Sequence, residues 1–302
     1  MRLFTNSRGQ RIFAQQWLPR RRSDARRKRR EKDTNSPRFK GALFIIHGLN
    51  AHSNRYSTLV RQFVAKDYAV FAHDLCGHGR SDGLRAYTSS FNHYIADARM
   101  YVQDVVSRNR LQAIPKFLVG HSLGGALAIR LARDDADRAR RLGALPPWDG
   151  VLLTAPAVAV FPKPLVKLFA PILGTLFPFM RVQSLKARRN FSTSPETTDP
   201  LIMTAGVRAR VGYEILKSCS EIMNSASSFS TALFIAHAKA DRVTSMQGSQ
   251  RFVERAGSRV KTFRLYDSHV HDLLGNPGLA AQVSRDMLEW VEERVGKLAK
   301  DS

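Results

Sequence analysis

Short apolar runs alternate along this chain with longer segments of helical periodicity. Continuous apolar, β-branched runs are typical of strands buried on both faces of a parallel sheet. Such runs predict strands near residues 10–18, 42–46, 68–72, 117–119, 151–153, 232–236 and 262–266. Helical spacing of apolar residues predicts helices near 56–65, 91–106, 126–132, 247–255 and 279–297. The alternation predicts an α/β fold with a doubly wound, mostly parallel sheet.

This alternation breaks off between residues 157 and 230. Residues 157–180 are strongly apolar but include Pro162, Pro164, Pro171 and Pro178 and two lysines. Because proline interrupts helices, we expect short helices joined at bends rather than a membrane span. The segment is either ordinary core or, as its place after a sheet strand favours, a lid over a binding site. We therefore predict a core of residues 1–156 and 231–302 with a helical cap of residues 157–230.

The chain is strongly basic, with 48 Lys and Arg against 25 Asp and Glu. Nine basic residues lie within residues 20–32, so residues 20–37 are predicted to form a surface loop. This loop is either a solvated insertion or a contact with an anionic membrane, with a nuclear localisation signal as the weaker alternative. Only the charge suggests a nucleic-acid partner, and we expect none.

Two cysteines, Cys76 and Cys219, lack metal-ligand spacing, which indicates a reducing compartment without disulfides. Residues 1–6 lack the apolar core of a secretory signal. No apolar stretch reaches the roughly 18 residues of a membrane span. We expect a cytoplasmic protein that is peripheral to membranes.

The segment from Val119 to Gly125 reads Gly-x-Ser-x-Gly between a predicted strand and a predicted helix. This context predicts a nucleophile elbow with Ser122 at its tip. Gly120 and Gly124 leave out the Cβ atoms that would clash where the strand and the helix pack closely. The backbone N–H of Leu123, at the helix N-terminus, then faces a developing oxyanion. The alternative is a glycine-rich turn with a capping serine.

A serine nucleophile needs a base, and the base needs an orienting carboxylate. In sheets of this type they follow in the order serine, acid, histidine. Asp241 follows a predicted strand and is the candidate acid, although a surface aspartate or a helix cap would fit there as well. His269 and His271 both follow the last strand, and spacing alone does not choose between them.

The loop after the first buried strand supplies the second oxyanion donor in such folds. Gly48 allows close approach there, so the N–H of Leu49 is the candidate. Other histidines crowd the same loops: His47, His52, His73 and His78. They lack a carboxylate–histidine metal pattern, so we expect them to hold loops by hydrogen bonds and expect no metal.

Further motifs extend over almost the whole chain. They are residues 47–56 (HGLNAHSNRY), residues 74–83 (DLCGHGRSDG), the elbow, residues 199–201 (DPL), residues 241–243 (DRV) and residues 271–274 (HDLL). Together they resemble the monoacylglycerol lipase family of serine α/β-hydrolases, particularly the plant-type lysophospholipases. The resemblance implies an α/β-hydrolase fold, a catalytic histidine five residues after Tyr266, which is His271, and no cofactor. It also implies a mobile apolar cap that admits one acyl chain from a membrane.

One position departs from the family, which commonly has Glu where this chain has Ala51. Arg55 is retained and is expected to position a polar headgroup. We expect a carboxylic ester hydrolase acting on monoacylglycerols first and lysophospholipids second. The alternatives are an acyltransferase or thioesterase with the same acyl-enzyme, or a non-catalytic ligand-binding homologue.

Overall fold

A computed structural model describes residues 1–20, 39–144, 147–162, 164–182, 199–203 and 206–300. The polybasic loop predicted for residues 20–37 lies outside these ranges apart from Arg20, so its membrane and nuclear roles stay predictions. The division into a core and a cap likewise stays a prediction about domains.

The described residues contain one large sheet of eight strands. Its members are β1 (Arg2–Thr5), β2 (Arg11–Trp17), β3 (Gly41–Ile46), β4 (Tyr68–His73), β5 (Lys116–His121), β6 (Gly150–Thr154), β9 (Leu233–Ala238) and β10 (Lys261–Tyr266). They lie in the order β1-β2-β4-β3-β5-β6-β9-β10. All pairs from β4 to β10 are parallel, and β1 and β2 form an antiparallel edge. The predicted doubly wound, mostly parallel sheet is confirmed.

Helices cover both faces of this sheet because successive strand residues point to opposite faces. The helices are α1 (Ser57–Ala65), α2 (Phe91–Asn109), α3 (Leu123–Arg141), α4 (Pro164–Leu176), α5 (Ala209–Asn224), α6 (Met246–Arg255) and α7 (Ala280–Leu298). In β3, Phe44 and Ile46 belong to the core under α2 and α3. Leu43 and Ile45 belong to the core under α1 and α7.

The segment between β6 and β9 contributes α4, α5 and a two-stranded pair, β7 (Arg181–Val182) with β8 (Val207–Arg208). Helix α5 packs on the main body of the protein, since its Val211 and Ile222 are buried in the core. Helix α4 crosses α5 closely, and a Cβ on Gly174 would lie only 2.8 Å from Cβ of Tyr213.

Pro171 does not end a helix, because it lies inside α4. An interior proline removes one backbone hydrogen bond, which a helix on the protein surface tolerates more easily than a buried one. Pro164 begins α4, where the missing N–H costs nothing. Across the described ranges, none of the helices has the length and apolar character needed to cross a membrane.

The parallel strands present their carboxyl ends at one edge of the sheet. The loops after β3, β5, β9 and β10 leave from this edge and carry Leu49, Ser122, Asp241 and His271. In open α/β sheets this edge is where ligands bind.

Candidate active site

Ser122 lies at the sharp turn between β5 and α3, with a φ of 53° and a ψ of −118°. A positive φ in a residue other than glycine is strained by about 1–3 kcal/mol and persists only where the surroundings enforce it. Here the Ser122 N–H donates to the Thr154 carbonyl at 3.0 Å, and the Ala157 N–H donates to the Ser122 carbonyl at 2.9 Å. The neighbouring strand β6 and the residues after it therefore hold the strained backbone in place.

The elbow requires glycine at positions 120 and 124, because a side chain at either position would clash with neighbouring backbone atoms. A Cβ on Gly124 would lie 2.1 Å from the carbonyl oxygen of Ile46, and one on Gly120 would lie 2.5 Å from that of Gly124. Both distances are far below any non-bonded contact, so α3 packs on β3 and β5 only because these side chains are absent. The prediction that glycines permit close strand–helix packing is confirmed.

Three distant side chains meet at this elbow. The Nε2 atom of His271 lies 2.9 Å from the Ser122 Oγ atom, and its Nδ1 atom lies 2.7 Å from Oδ2 of Asp241. His271 is buried, whereas the other candidate, His269, is exposed to solvent. The geometry therefore joins Ser122, His271 and Asp241 in a hydrogen-bonded chain that is able to pass a proton.

Asp241 is buried and accepts several hydrogen bonds. Its Oδ1 atom accepts the Val243 N–H at 2.7 Å and the Thr244 N–H at 3.2 Å, and its Oδ2 atom accepts the Thr244 hydroxyl at 3.0 Å. The ring of His237 lies 3.2 Å from the same Oδ2 atom. Burial by itself raises the pKa of the Asp241 carboxyl, but the hydrogen bonds of His237 and His271 outweigh it and hold the pKa well below its usual range. Asp241 is therefore ionised at neutral pH.

The loop after β3 packs directly against the serine. A Cβ on Gly48 would lie 3.3 Å from Cβ of Ser122, which places the next residue, Leu49, beside the nucleophile. His47 holds this loop because its Nδ1 atom donates to the Gly48 carbonyl at 2.7 Å, while its Nε2 atom accepts the Leu75 N–H at 2.9 Å. Burial lowers the pKa of His47 to about 4, which fits this neutral tautomer. The oxyanion roles of Leu49 and Leu123, the first residue of α3, stay predictions.

Arg55 pairs with a residue next to the candidate base. Its Nη2 atom donates to Oδ2 of Asp272 at 2.7 Å, and both side chains are largely buried. Burial raises the pKa of Asp272, but the charges of His121 and Arg55 and the N–H of Gly275 lower it to about 2. The ion pair ties the Leu49 loop to the His271 loop, and the headgroup role of Arg55 stays a prediction.

A second imidazole lies against His271. The ring of His121 is centred 5.0 Å from the ring of His271, and its Nδ1 atom lies 3.0 Å from the Thr154 hydroxyl. Burial lowers the pKa of His121 to about 4, so this ring is neutral at pH 7. A neutral His121 ring does not repel the positive charge that the His271 ring would carry after accepting a proton.

Most of the remaining histidines hold loops, as the sequence suggests. His52 Nε2 lies 2.8 Å from Oδ2 of Asp199, and His78 Nδ1 lies 3.1 Å from the Cys76 carbonyl. The Nε2 atoms of His73 and His78 are both buried without a hydrogen-bond partner among the described residues. Within the ranges that the structure describes, no group of three or more His, Cys, Asp or Glu side chains is arranged to hold a metal ion.

Sequence reasoning missed His237, Thr244 and Asp272 as parts of this site. A signal existed for His237, because it is a polar residue within the apolar run of β9, four residues before Asp241. Asp272 directly follows His271, but nothing local indicates that it pairs with Arg55 from a distant loop.

Comparisons with known proteins agree with this geometry. Residues 37–278 match the family described as serine aminopeptidase, S33. The chain is 29% identical to the monoglyceride lipase of Homo sapiens over 96% of this chain and 89% of that protein. It is 28% identical to the caffeoylshikimate esterase of Arabidopsis thaliana over 86% of this chain and 80% of that protein.

A solved structure shares the fold at lower sequence identity. It is a soluble variant of the Saccharomyces cerevisiae monoglyceride lipase, with a TM-score of 0.79 and 17% identity over 97% of this chain and 94% of that one. This match supports the α/β-hydrolase fold alone. The family match covers most of the sequence and includes the elbow, the acid loop and the histidine loop. The chain therefore belongs to the serine aminopeptidase S33 family, and it is a carboxylic ester hydrolase with the α/β-hydrolase fold.

Proposed function

We propose that this protein releases a fatty acid from single-chain lipid esters, with monoacylglycerols as the preferred substrates and lysophospholipids next. The observation that carries the proposal is the unbroken chain of hydrogen bonds from Ser122 through His271 to Asp241, at 2.9 and 2.7 Å. The similarity to the human monoglyceride lipase supports the choice of substrate.

The proposed reaction follows from this relay. Ser122 Oγ attacks the ester carbonyl while His271 Nε2 takes its proton, and ionised Asp241 fixes the tautomer and stabilises the imidazolium. The N–H groups of Leu49 and Leu123 hold the negative oxygen of the tetrahedral intermediate. His271 then gives its proton to the leaving alcohol, which breaks the ester bond and leaves an acyl-Ser122. Water attacks this acyl group while His271 accepts its proton, and collapse of the second intermediate returns that proton to Ser122.

The outer face of the cap supports an amphiphilic substrate taken from a membrane. Helix α4 and the turn after it expose many large apolar side chains: Leu165, Val166, Leu168, Phe169, Ile172, Leu176, Phe177, Phe179 and Met180. We refer to these nine side chains as the cap apolar face. Exposed apolar patches of this kind mark membrane or partner contacts. Residues 150–195 also contain six basic residues and no acidic one, which favours an anionic bilayer.

A substrate panel tests the proposal. Wild type and Ser122→Ala are given a long-chain monoacylglycerol, the matching lysophospholipid, a short-chain ester and a hydroxycinnamate ester. The proposal expects the highest kcat/KM on the monoacylglycerol and no turnover by the Ala variant. Preference for the short-chain or the hydroxycinnamate ester would contradict the assigned substrate class.

Two rival functions are separable in the same assays. Added glycerol distinguishes an acyltransferase, which would form new esters, from a hydrolase, which releases free acid. A thioesterase would prefer the matching acyl thioester. A non-catalytic homologue would bind the lipid without turning it over and would not react with a fluorophosphonate probe.

A further inference from the structure

His237, at the end of β9, is fully buried beside the proposed site. Both of its ring nitrogens have partners. The Nε2 atom lies 3.2 Å from Oδ2 of Asp241, and the Nδ1 atom lies 3.0 Å from the hydroxyl of Ser249 on α6. Asp241 thus has two histidines on the same carboxylate oxygen, His271 on one side and His237 on the other.

The chemistry of the partners fixes the proton on His237. An ionised carboxylate only accepts hydrogen bonds, so the Nε2 atom facing Asp241 carries the hydrogen. In the neutral ring the Nδ1 atom is then an acceptor, and the Ser249 hydroxyl is a donor that suits it. The carboxylate therefore selects the tautomer in which His237 donates to Asp241, and the bond to Ser249 holds the ring in the orientation that points its Nε2 atom at Asp241.

We propose that His237 is a positioning residue for the reaction: its donated hydrogen bond holds the Asp241 carboxylate in the rotamer that orients His271. The proposal rests on the proposed function, because it affects rate only if His271 is the base. Of the donors to Oδ2, the Thr244 hydroxyl has a second acceptor 3.1 Å away, the Ala155 carbonyl. The single hydroxyl proton of Thr244 serves only one of them at a time. The His237 Nε2 atom lies 3.4 Å from the Thr244 hydroxyl oxygen but 3.2 Å from the charged Oδ2 atom, and a carboxylate is the stronger acceptor, so His237 is the steadier donor to Oδ2.

The geometry separates this role from ordinary core packing. A histidine that only filled space in β9 would need any one acceptor, such as a backbone carbonyl. Here the His237 donor faces Oδ2 of Asp241, and this is the oxygen atom that lies 2.7 Å from Nδ1 of His271. Removing the donor leaves the nucleophile and the base intact but loosens the group that orients the base.

Three variants test the proposal. His237→Leu removes the donor, His237→Gln keeps an N–H at a similar distance from the backbone, and Ser249→Ala removes the bond that holds the His237 ring in its orientation. The readouts are kcat and KM on a monoacylglycerol, the second-order rate of fluorophosphonate labelling, and the thermal midpoint. Labelling reports how well Ser122 is activated without depending on the lipid substrate.

At metal sites, removing the outer partner that orients a ligand costs about 10- to 100-fold in affinity or activity, and we take the same scale for a group that orients Asp241. We expect His237→Leu to lower both kcat and the labelling rate by about that factor, with KM changed by less than about two-fold. His237→Gln should recover most of the lost rate, and Ser249→Ala should lose about three- to ten-fold in kcat.

A folded His237→Leu with wild-type kcat and labelling rate overturns the proposal, and so does a Gln variant no faster than the Leu variant. If the Leu variant does not fold, Ser249→Ala decides, and a wild-type kcat there overturns the proposal. Failure of the proposed function looks different, because wild type itself would then not be labelled. If wild type is labelled but does not hydrolyse monoacylglycerols, only the proposed substrate class is wrong. The labelling rates of the variants then still decide the role of His237.

Discussion

The active-site edge of the sheet and the cap apolar face lie in the same protein but are built on opposite principles. At the sheet edge, buried polar atoms lie about 3 Å from their partners, and Asp241 alone accepts several hydrogen bonds. On the cap, large apolar side chains face solvent, and Leu165 and Leu168 are 69% and 68% exposed. The first region is organised before any substrate arrives. The second leaves apolar area that is buried only when something else covers it.

This difference separates two sources of free energy. Preorganised donors act on charge that develops during the reaction, and they cost no rearrangement at that moment. In the proposed function, the cap apolar face contributes to capturing an amphiphilic substrate, because burial of apolar area is favourable and needs no particular geometry. Changes at the sheet edge should therefore alter the rate of chemistry or the stability of the fold, and changes on the cap should alter capture from a bilayer.

The largest effect is expected at the base. His271→Ala removes the group that accepts the Ser122 proton, and loss of a triad member typically costs about 10⁴-fold or more in kcat. His269→Ala is the matched control, since that histidine is exposed and only two residues away, and it should stay within about three-fold of wild type. Steady-state kinetics on a soluble ester checks both variants, and the reverse ranking would exchange the two residues.

The next largest effect is expected at the Ser122 elbow, on the stability of the protein. In Gly124→Ala the new Cβ would lie 2.1 Å from the Ile46 carbonyl, so the backbone must shift and the protein should lose about 3 kcal/mol of stability, the upper end for overpacking. Gly296→Ala is the control, because nothing lies within 4 Å of its Cβ on α7. It should stabilise the helix by about 0.5–1 kcal/mol. Urea unfolding measures both, and equal midpoints would contradict the close packing at the elbow.

A smaller effect depends on pH. The pKa of Asp272 is lowered in the folded protein from 3.8 to about 2. A carboxyl with a depressed folded pKa adds stability above the unfolded pKa and loses it as the pH falls through the folded value. Ionised Asp272 should therefore add roughly 2 kcal/mol to the free energy of unfolding above pH 4. This contribution should vanish between about pH 4 and pH 2.

Asp272→Asn removes that titration. Unfolding free energies measured from pH 6 to pH 2 should fall less steeply in this variant than in wild type. Parallel curves for the two proteins would show that His121 and Arg55 do not depress the pKa of this carboxyl.

The smallest effect should appear on the cap. Leu168→Ser removes one exposed apolar side chain, which contributes about 1.5 kcal/mol or more when buried, so hydrolysis of vesicle-borne monoacylglycerol should fall about ten-fold. Turnover of a soluble short-chain ester should not change. Leu142→Ser is the control, since Leu142 is 74% exposed at the far end of α3. Equal losses in the two variants on vesicles would contradict a specific role for the cap apolar face.

The sequence predicts the parallel part of the fold well because each buried strand is a contiguous, mostly apolar run of residues. Gly41–Ile46 is apolar and buried throughout, and Leu233–Ala238 is fully buried and apolar except for His237. The edge strand Arg2–Thr5 escapes this reasoning because it is short and mostly exposed. Helix α3 continues to Arg141, well beyond its Ala- and Leu-rich start, because its charged residues face outward.

The candidate site divides in the same way. Ser122 and Asp241 follow from local patterns, since each comes directly after a recognisable strand. Spacing alone does not choose between His269 and His271. The family resemblance favours His271, and the fold buries His271 while His269 is exposed. The contacts of Arg55 with Asp272, and of His237 with Asp241 and Ser249, depend on where loops and helices meet in space. No periodic pattern in the sequence indicates these contacts between distant segments.

The proposed roles of Ser122 as nucleophile and of His271 and Asp241 as its activating pair can be checked by locating the covalent adduct. Wild type and Ser122→Ala are treated with a long-chain fluorophosphonate, digested, and mapped by peptide mass spectrometry. We expect one phosphonyl group on the peptide that contains Ser122 and none on the variant. An unlabelled wild type, or a label on another residue that survives in Ser122→Ala, would contradict these roles.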